Sequence, residues 1–120
     1  MGIYDAINYI DSDVTTIGFG AAASMSSLIL AGGTYGKRFA LPSCRIMIHQ
    51  PSASIQGQAS VVLIESLELS RVCDVMVYLY SERTGVSVDK LYEDIDRDYY
   101  MSAHEAKNYG LIDQVSGVPI

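Results

Sequence analysis

At 120 residues the chain is long enough for one domain with its own core but short for a complete α/β enzyme. Its formal charge of −6 comes with Lys37-Arg38 as the one basic pair, so most of the surface would repel a phosphate backbone and nucleic acid is excluded as a partner. The 49% hydrophobic content is high for a soluble monomer and points to self-association. No apolar stretch, Ser27 to Ala31 included, approaches the roughly 20 residues of a membrane span.

Met1 to Ile10 reads as the end of a helix, with Ile3, Ala6, Ile7 and Ile10 at helical spacing and Asp11-Ser12-Asp13 breaking it. Val14 to Phe19 is a β-branched run and reads as a strand. A small-residue turn, Gly20 to Ala23, leads into a buried helix from Ser24 to Ala31 that Gly32-Gly33 ends. Lys37 to Leu41 and Arg45 to His49 are two short strands parted by Pro42-Ser43. From Gln58 to Arg83 there is neither Gly nor Pro, which predicts a long helix whose apolar positions, Val72, Met76 and Tyr80 among them, are spread too widely for one stripe and need more than this domain to cover them. Ser87 caps a short helix carrying Val88, Leu91 and Ile95, Ser102 and Glu105 form a capping box before a helix that Gly110 ends, and Leu111 to Val115 is a last strand. Strands alternating with helices predict an α/β layer arrangement.

Cys44 and Cys73 sit among apolar neighbours, with no second Cys or His at ligand spacing, and read as reduced structural thiols rather than a zinc site. With no secretory or transit pattern at the start, a reducing, cytosol-like compartment is expected.

Three residues carry candidate chemistry: Ser24 in GAAASMS, His49 in RIMIHQP and Asp98 in DIDRDYYMSAHEA. Each stands where an apolar run meets a polar break. A serine hydroxyl needs a base to take its proton, an imidazole with an ordinary pKa near ~6.5 can do so at neutral pH, and a carboxylate behind it fixes the tautomer. At a strand-to-helix turn, the Met25 N–H would be placed to stabilise an oxyanion. The residues alone leave another reading open: Ser24 as a helix N-cap, His49 as a satisfied histidine at a strand end, Asp98 as an exposed charge. GAAASMS is not the G-x-S-x-G elbow. His104, in the first turn of a predicted helix, reads as exposed.

IYDAINYI, GAAASM, GKRFALP, RIMIHQP, QGQA, DRD and MSAHEAKNYGLID together resemble the successive motifs of the Clp protease proteolytic subunit across nearly the whole chain. The resemblance implies one domain over residues 1–120, lacking the family's usual N-terminal region. It also implies the α/β, crotonase-like ClpP fold with a head domain and a protruding long handle helix. Ser24, His49 and Asp98 take the positions of the family's Ser-His-Asp triad. Activity would be that of a serine endopeptidase cleaving unfolded polypeptides, with no cofactor of its own, fed by an AAA+ unfoldase ATPase. Subunits would assemble into stacked heptameric rings, possible paralogues included. Pro51, Ser52, Ala53, Ser54 and Ile55 fall in the segment that lines the substrate cleft as an extended strand, where a peptide adds by backbone pairing. Gln58 opens the handle, and Asp96 and Arg97 match positions that couple ring contact to triad alignment. DxDRD by itself equally fits a solvated helix end.

Two departures accompany the resemblance. The chain begins after the family's Gly-Gly segment, whose oxyanion donor is worth about 10² to 10³ in rate, which makes a catalytically impaired or structural subunit of a mixed ring the alternative. Ser26-Ser27 replaces the usual Gly and small residue after the Met, which is expected to crowd the turn beside the oxyanion. Enoyl-CoA hydratases share the fold, but their chemistry gives no reason for His and Asp at the matched positions. Cytoplasm is the expected location, with plastid stroma or mitochondrial matrix as alternatives.

Overall fold

The computed structural model describes residues 2–49, 59–96 and 99–115, with 59–66 described by backbone alone. The elements in chain order are α1 (Gly2–Tyr9), β1 (Thr16–Gly18), β2 (Ala21–Ala23), α2 (Met25–Ala31), β3 (Arg38–Ala40), β4 (Arg45–Ile48), α3 (Ala59–Thr84), α4 (Val88–Ile95), β5 (Tyr99–Ser102), α5 (Ala103–Tyr109) and β6 (Gln114–Val115). The mixed α/β expectation agrees with this architecture.

The strands form two three-stranded sheets, β1-β3-β6 and β2-β4-β5. The first is parallel throughout; in the second β2 and β4 are parallel and β5 runs against β4. β1 and β2 are two parts of one bent strand, with Gly20 at φ +73° between them, a conformation that costs glycine little. β3 and β4 are joined by a turn at Pro42-Ser43, closed by the Cys44 N–H donating to Leu41 O at 2.9 Å. Leu41 N–H donates to Gly18 O and Arg45 N–H to Gly20 O, both at 2.9 Å, so the two bends run side by side and pairing passes from one sheet to the next. The connection through α2 therefore serves both sheets.

Two sequence expectations are corrected here. The stretch from Gly20 to Ala23 contains a strand, because Ala21–Ala23 pairs with Arg45–Met47; alanine has little strand preference of its own, and the ladder with β4 overrides it. Tyr99–Ser102 is a strand the sequence reading lacked, held by pairing with the whole of β4.

The core gathers the buried face of each element. Leu28, Leu30 and Ala31 come from α2, Ile46 and Ile48 from β4, and Met76, Val77 and Tyr80 from α3. Leu91 and Ile95 of α4 are one helical turn apart and both buried. Ser87 caps α4 by accepting from the Lys90 N–H, and the Ser102–Glu105 capping box closes the start of α5 in both directions. α3 spans 26 residues, about 39 Å at 1.5 Å per residue. Leu67, Val75 and Tyr78 on it stay largely exposed, in keeping with apolar positions on more than one side.

Gly110 ends α5 in the left-handed region at φ +101°, and a Cβ there would lie 2.5 Å from the Thr84 carbonyl oxygen at the end of α3. Neither the backbone angle nor the contact can relax without parting α3 from α5. Gly110→Ala is expected to cost about 2 kcal/mol or more, read as a lower urea midpoint at unchanged slope; a shift of less than half that size would mean that the two helix ends separate freely.

Candidate functional site

The second sheet carries the candidate residues to one end. Ala23 pairs with Met47 in parallel register, and strands in a sheet lie about 4.8 Å apart. Ser24 directly follows β2 and His49 directly follows β4, so both leave the carboxyl ends of neighbouring strands, where α/β proteins place their ligands. The Ser24 N–H donates to Met47 O at 2.9 Å and continues the ladder one residue past β2. β5 starts at this same end, with Tyr99 opposite Ile48. Asp98, the residue before Tyr99, and Arg97 lie outside the described residues, as do Pro51, Ser52, Ala53, Ser54, Ile55 and Gln58. Asp96 is the exposed C-cap of α4. His104 is exposed in the first turn of α5.

Ser24 is the one non-glycine with positive φ among the described residues, at φ +54° and ψ −116°. A side chain held there costs on the order of 1–3 kcal/mol and persists only where the surroundings enforce it. It stands in the N-cap position of α2, yet its side chain makes no capping hydrogen bond. The N-cap role suggested by its neighbours therefore does not use the hydroxyl. Ser24, His49 and Met25 are each half-buried. As the first residue of α2, Met25 has an N–H with no intrahelical acceptor.

What enforces the Ser24 conformation is visible at its carbonyl. The oxygen accepts the N–H groups of Ser27 at 3.1 Å and Leu28 at 3.2 Å. It also accepts the Ser27 Oγ–H at 2.7 Å and the Tyr80 hydroxyl at 2.9 Å, and these two hydroxyls lie 2.7 Å from each other. Ser27 and Tyr80 are fully buried. Burial pushes the Tyr80 hydroxyl up to about 12, with the Ser27 hydrogen bond opposing it, so Tyr80 remains a proton donor at any ordinary pH. The expected crowding by Ser26-Ser27 is thus resolved differently for each: Ser26 is exposed, and Ser27 turns inward to brace the turn. Sequence reading treated Tyr80 as one more apolar position of α3. A buried tyrosine hydroxyl needs a partner, and that requirement was the available signal.

Among the described residues no three His, Cys, Asp or Glu side chains converge to hold a metal ion, and no helix is long and apolar enough to cross a membrane. Cys44 and Cys73 are free thiols; Cys44 lies just before β4, and burial pushes both thiols up.

The Clp protease family profile matches residues 1–118. An ATP-dependent Clp protease proteolytic subunit of Chlorella vulgaris is 57% identical over 116 residues, covering 97% of this chain and 58% of the relative. The subunit of the same name from Oltmannsiellopsis viridis is 53% identical over 116 residues, 97% of this chain and 60% of its own length. ATP-dependent Clp protease proteolytic subunit 2 of Prochlorococcus marinus subsp. pastoris is 52% identical over 120 residues, 99% of this chain and 60% of the relative. The chain thus spans about three-fifths of the length of these relatives. With a family profile over nearly all of its length and relatives above half identity, the chain belongs to the Clp protease family.

Proposed function

We propose that this chain is a proteolytic subunit of an ATP-dependent Clp protease, a serine endopeptidase that cuts unfolded polypeptides to short peptides. The observation that carries this reading is Ser24: a strained residue on a strand-to-helix turn, its hydroxyl unused for capping, at the same sheet end as His49. His49 takes the Ser24 Oγ proton as the oxygen attacks the scissile carbonyl carbon, and the oxyanion that forms is met by the Met25 N–H. The C–N bond then breaks, the proton passes from His49 to the leaving amine, and water hydrolyses the acyl-enzyme by the same route in reverse. Asp98 holds the His49 tautomer and stabilises its charged form. Pro51 to Ile55 form the segment that binds the substrate peptide.

In the same reading α3 is the handle, whose exposed Leu67, Val75 and Tyr78 become buried between stacked rings, with Gln58, Asp96 and Arg97 at ring contacts. An AAA+ unfoldase supplies the ATP-driven unfolding in this reading, which is supported by the ATP dependence stated in the relatives' names, and the algal and cyanobacterial relatives favour a plastid stroma or bacterial cytoplasm.

The test is intact-mass detection of fluorophosphonate labelling on the purified chain beside Ser24→Ala, with native mass recorded on both. One probe per chain, lost in the variant, is expected. A folded, assembled chain that takes up no probe would refute catalysis by this chain alone and leave the structural subunit of a mixed ring.

A further inference from the structure

The Ser24 carbonyl and the Met25 N–H are two ends of one peptide unit. Whatever fixes and polarises the carbonyl therefore also fixes and polarises the N–H. We propose that the buried hydroxyl pair Ser27 and Tyr80 is a positioning device for the oxyanion donor, holding the Ser24–Met25 peptide in its outward-facing orientation and strengthening the Met25 N–H. The proposal rests on reading Ser24 as the nucleophile and Met25 as the donor.

Proton counting makes the device more than a contact. Three oxygens, Ser24 O, Ser27 Oγ and Tyr80 Oη, form three edges of 2.7, 2.9 and 2.7 Å, and only two hydroxyl protons are available to fill them. If Tyr80 donates to Ser27, Ser27 donates to the carbonyl; if Ser27 donates to Tyr80, Tyr80 donates to the carbonyl; otherwise both donate to it. In every arrangement at least one hydroxyl proton rests on Ser24 O. In the two chained arrangements each bond also polarises the next. A peptide flip that turned the Met25 N–H away would swing the carbonyl off both hydroxyls; they would still pair with each other, but the second hydroxyl proton would be left without an acceptor in the core, at the cost of a buried unsatisfied polar group. Tyr80 comes from the last third of α3, 56 residues from Ser24, so the long helix reaches the candidate site directly through this hydroxyl.

The two hydroxyls back each other up, and this gives the test its signature. Tyr80→Phe leaves Ser27 donating to the carbonyl, and Ser27→Ala leaves Tyr80 doing so; the double variant removes both donors. Second-order rates of fluorophosphonate labelling per folded chain are expected to fall about threefold in each single variant. The double variant should fall about thirtyfold or more, beyond the product of the singles and still below the cost of deleting an oxyanion donor outright. A filler role would lower the urea midpoint and leave the rate untouched, so a folded double variant labelled within about twofold of wild type overturns the proposal. Should the double variant fail to fold, the Met25 amide proton shift decides. An upfield move in Tyr80→Phe supports the polarised peptide, and an unchanged shift overturns it. If wild type shows no Ser24-dependent labelling, the nucleophile reading is what fails, and the amide shift still reports on the hydroxyl pair.

Discussion

Ser24→Gly is expected to abolish fluorophosphonate labelling and, in the same protein, to raise the free energy of unfolding by about 1 kcal/mol. The gain follows from the backbone: φ +54° with ψ −116° is strained for a residue with a Cβ and open to glycine, and relief of ~1–3 kcal/mol outweighs the extra chain entropy that glycine loses on folding. Ser24→Ala should be equally unlabelled yet remain near wild-type stability, because it keeps the Cβ and with it the strain. Urea denaturation of the three proteins at equal slope reads the difference as an order of midpoints, glycine highest. A glycine variant less stable than the alanine variant would show that the turn stores no strain. Stability and nucleophile position are thus expected to oppose one another at a single residue.

The largest effect on stability is expected away from the site, at Asp113. Its carboxylate accepts the Gly36 N–H at 2.7 Å, the Arg38 N–H at 3.1 Å, and Arg38 Nε and Nη2 at 3.0 and 2.9 Å, in a two-pronged ion pair. The Arg38 side chain is only 4% exposed. Its remaining acceptors are the carbonyls of Ala31 at 3.1 Å and Arg83 at 3.4 Å, which carry no charge. Asp113→Ala leaves a guanidinium uncompensated in the interior and should cost about 3–5 kcal/mol, whereas replacing both partners by apolar residues should cost much less. The Arg38 hydrogen bonds hold the Asp113 carboxyl below the ordinary carboxylate value. A lowered folded value means that this stabilisation is complete above the unfolded pKa of ~3.9 and is lost as pH falls through the folded one. The stability gap between wild type and Asp113→Asn should therefore be constant above about pH 5 and shrink below pH 4. A gap that is flat down to pH 2 would remove Asp113 from the acid response.

Much of the framework was legible from local chemistry. Ser87, Ser102 with Glu105, and Gly110 mark helix ends through groups they can only satisfy there, and the β-branched run around Ile17 announces a strand by itself. The unread parts depend on partners remote in sequence. Ala21–Ala23 becomes a strand only because Arg45–Met47 pairs with it, and Tyr99–Ser102 only because β4 is there to receive it. Of the candidate site, Ser24 and His49 were singled out by their place at strand ends, and the pairing of Ala23 with Met47 sets both at the carboxyl ends of neighbouring strands. Ser27 was read as a crowding residue and Tyr80 as one apolar position of the long helix, since the distance that joins them, across 53 residues of chain, is a product of folding and has no local pattern.

The two side-by-side bends, at Gly20 and at Pro42-Ser43, have an entropic consequence. Pairing β1 with β3 closes a loop through α2 and bears its full ordering cost; after that, β2 and β4 are each tethered a few residues beyond a formed ladder, and joining them closes almost no new loop. With either ladder formed the other closes almost no new loop, so the strained Ser24 turn shares one closure cost with the neighbouring ladder instead of adding a second.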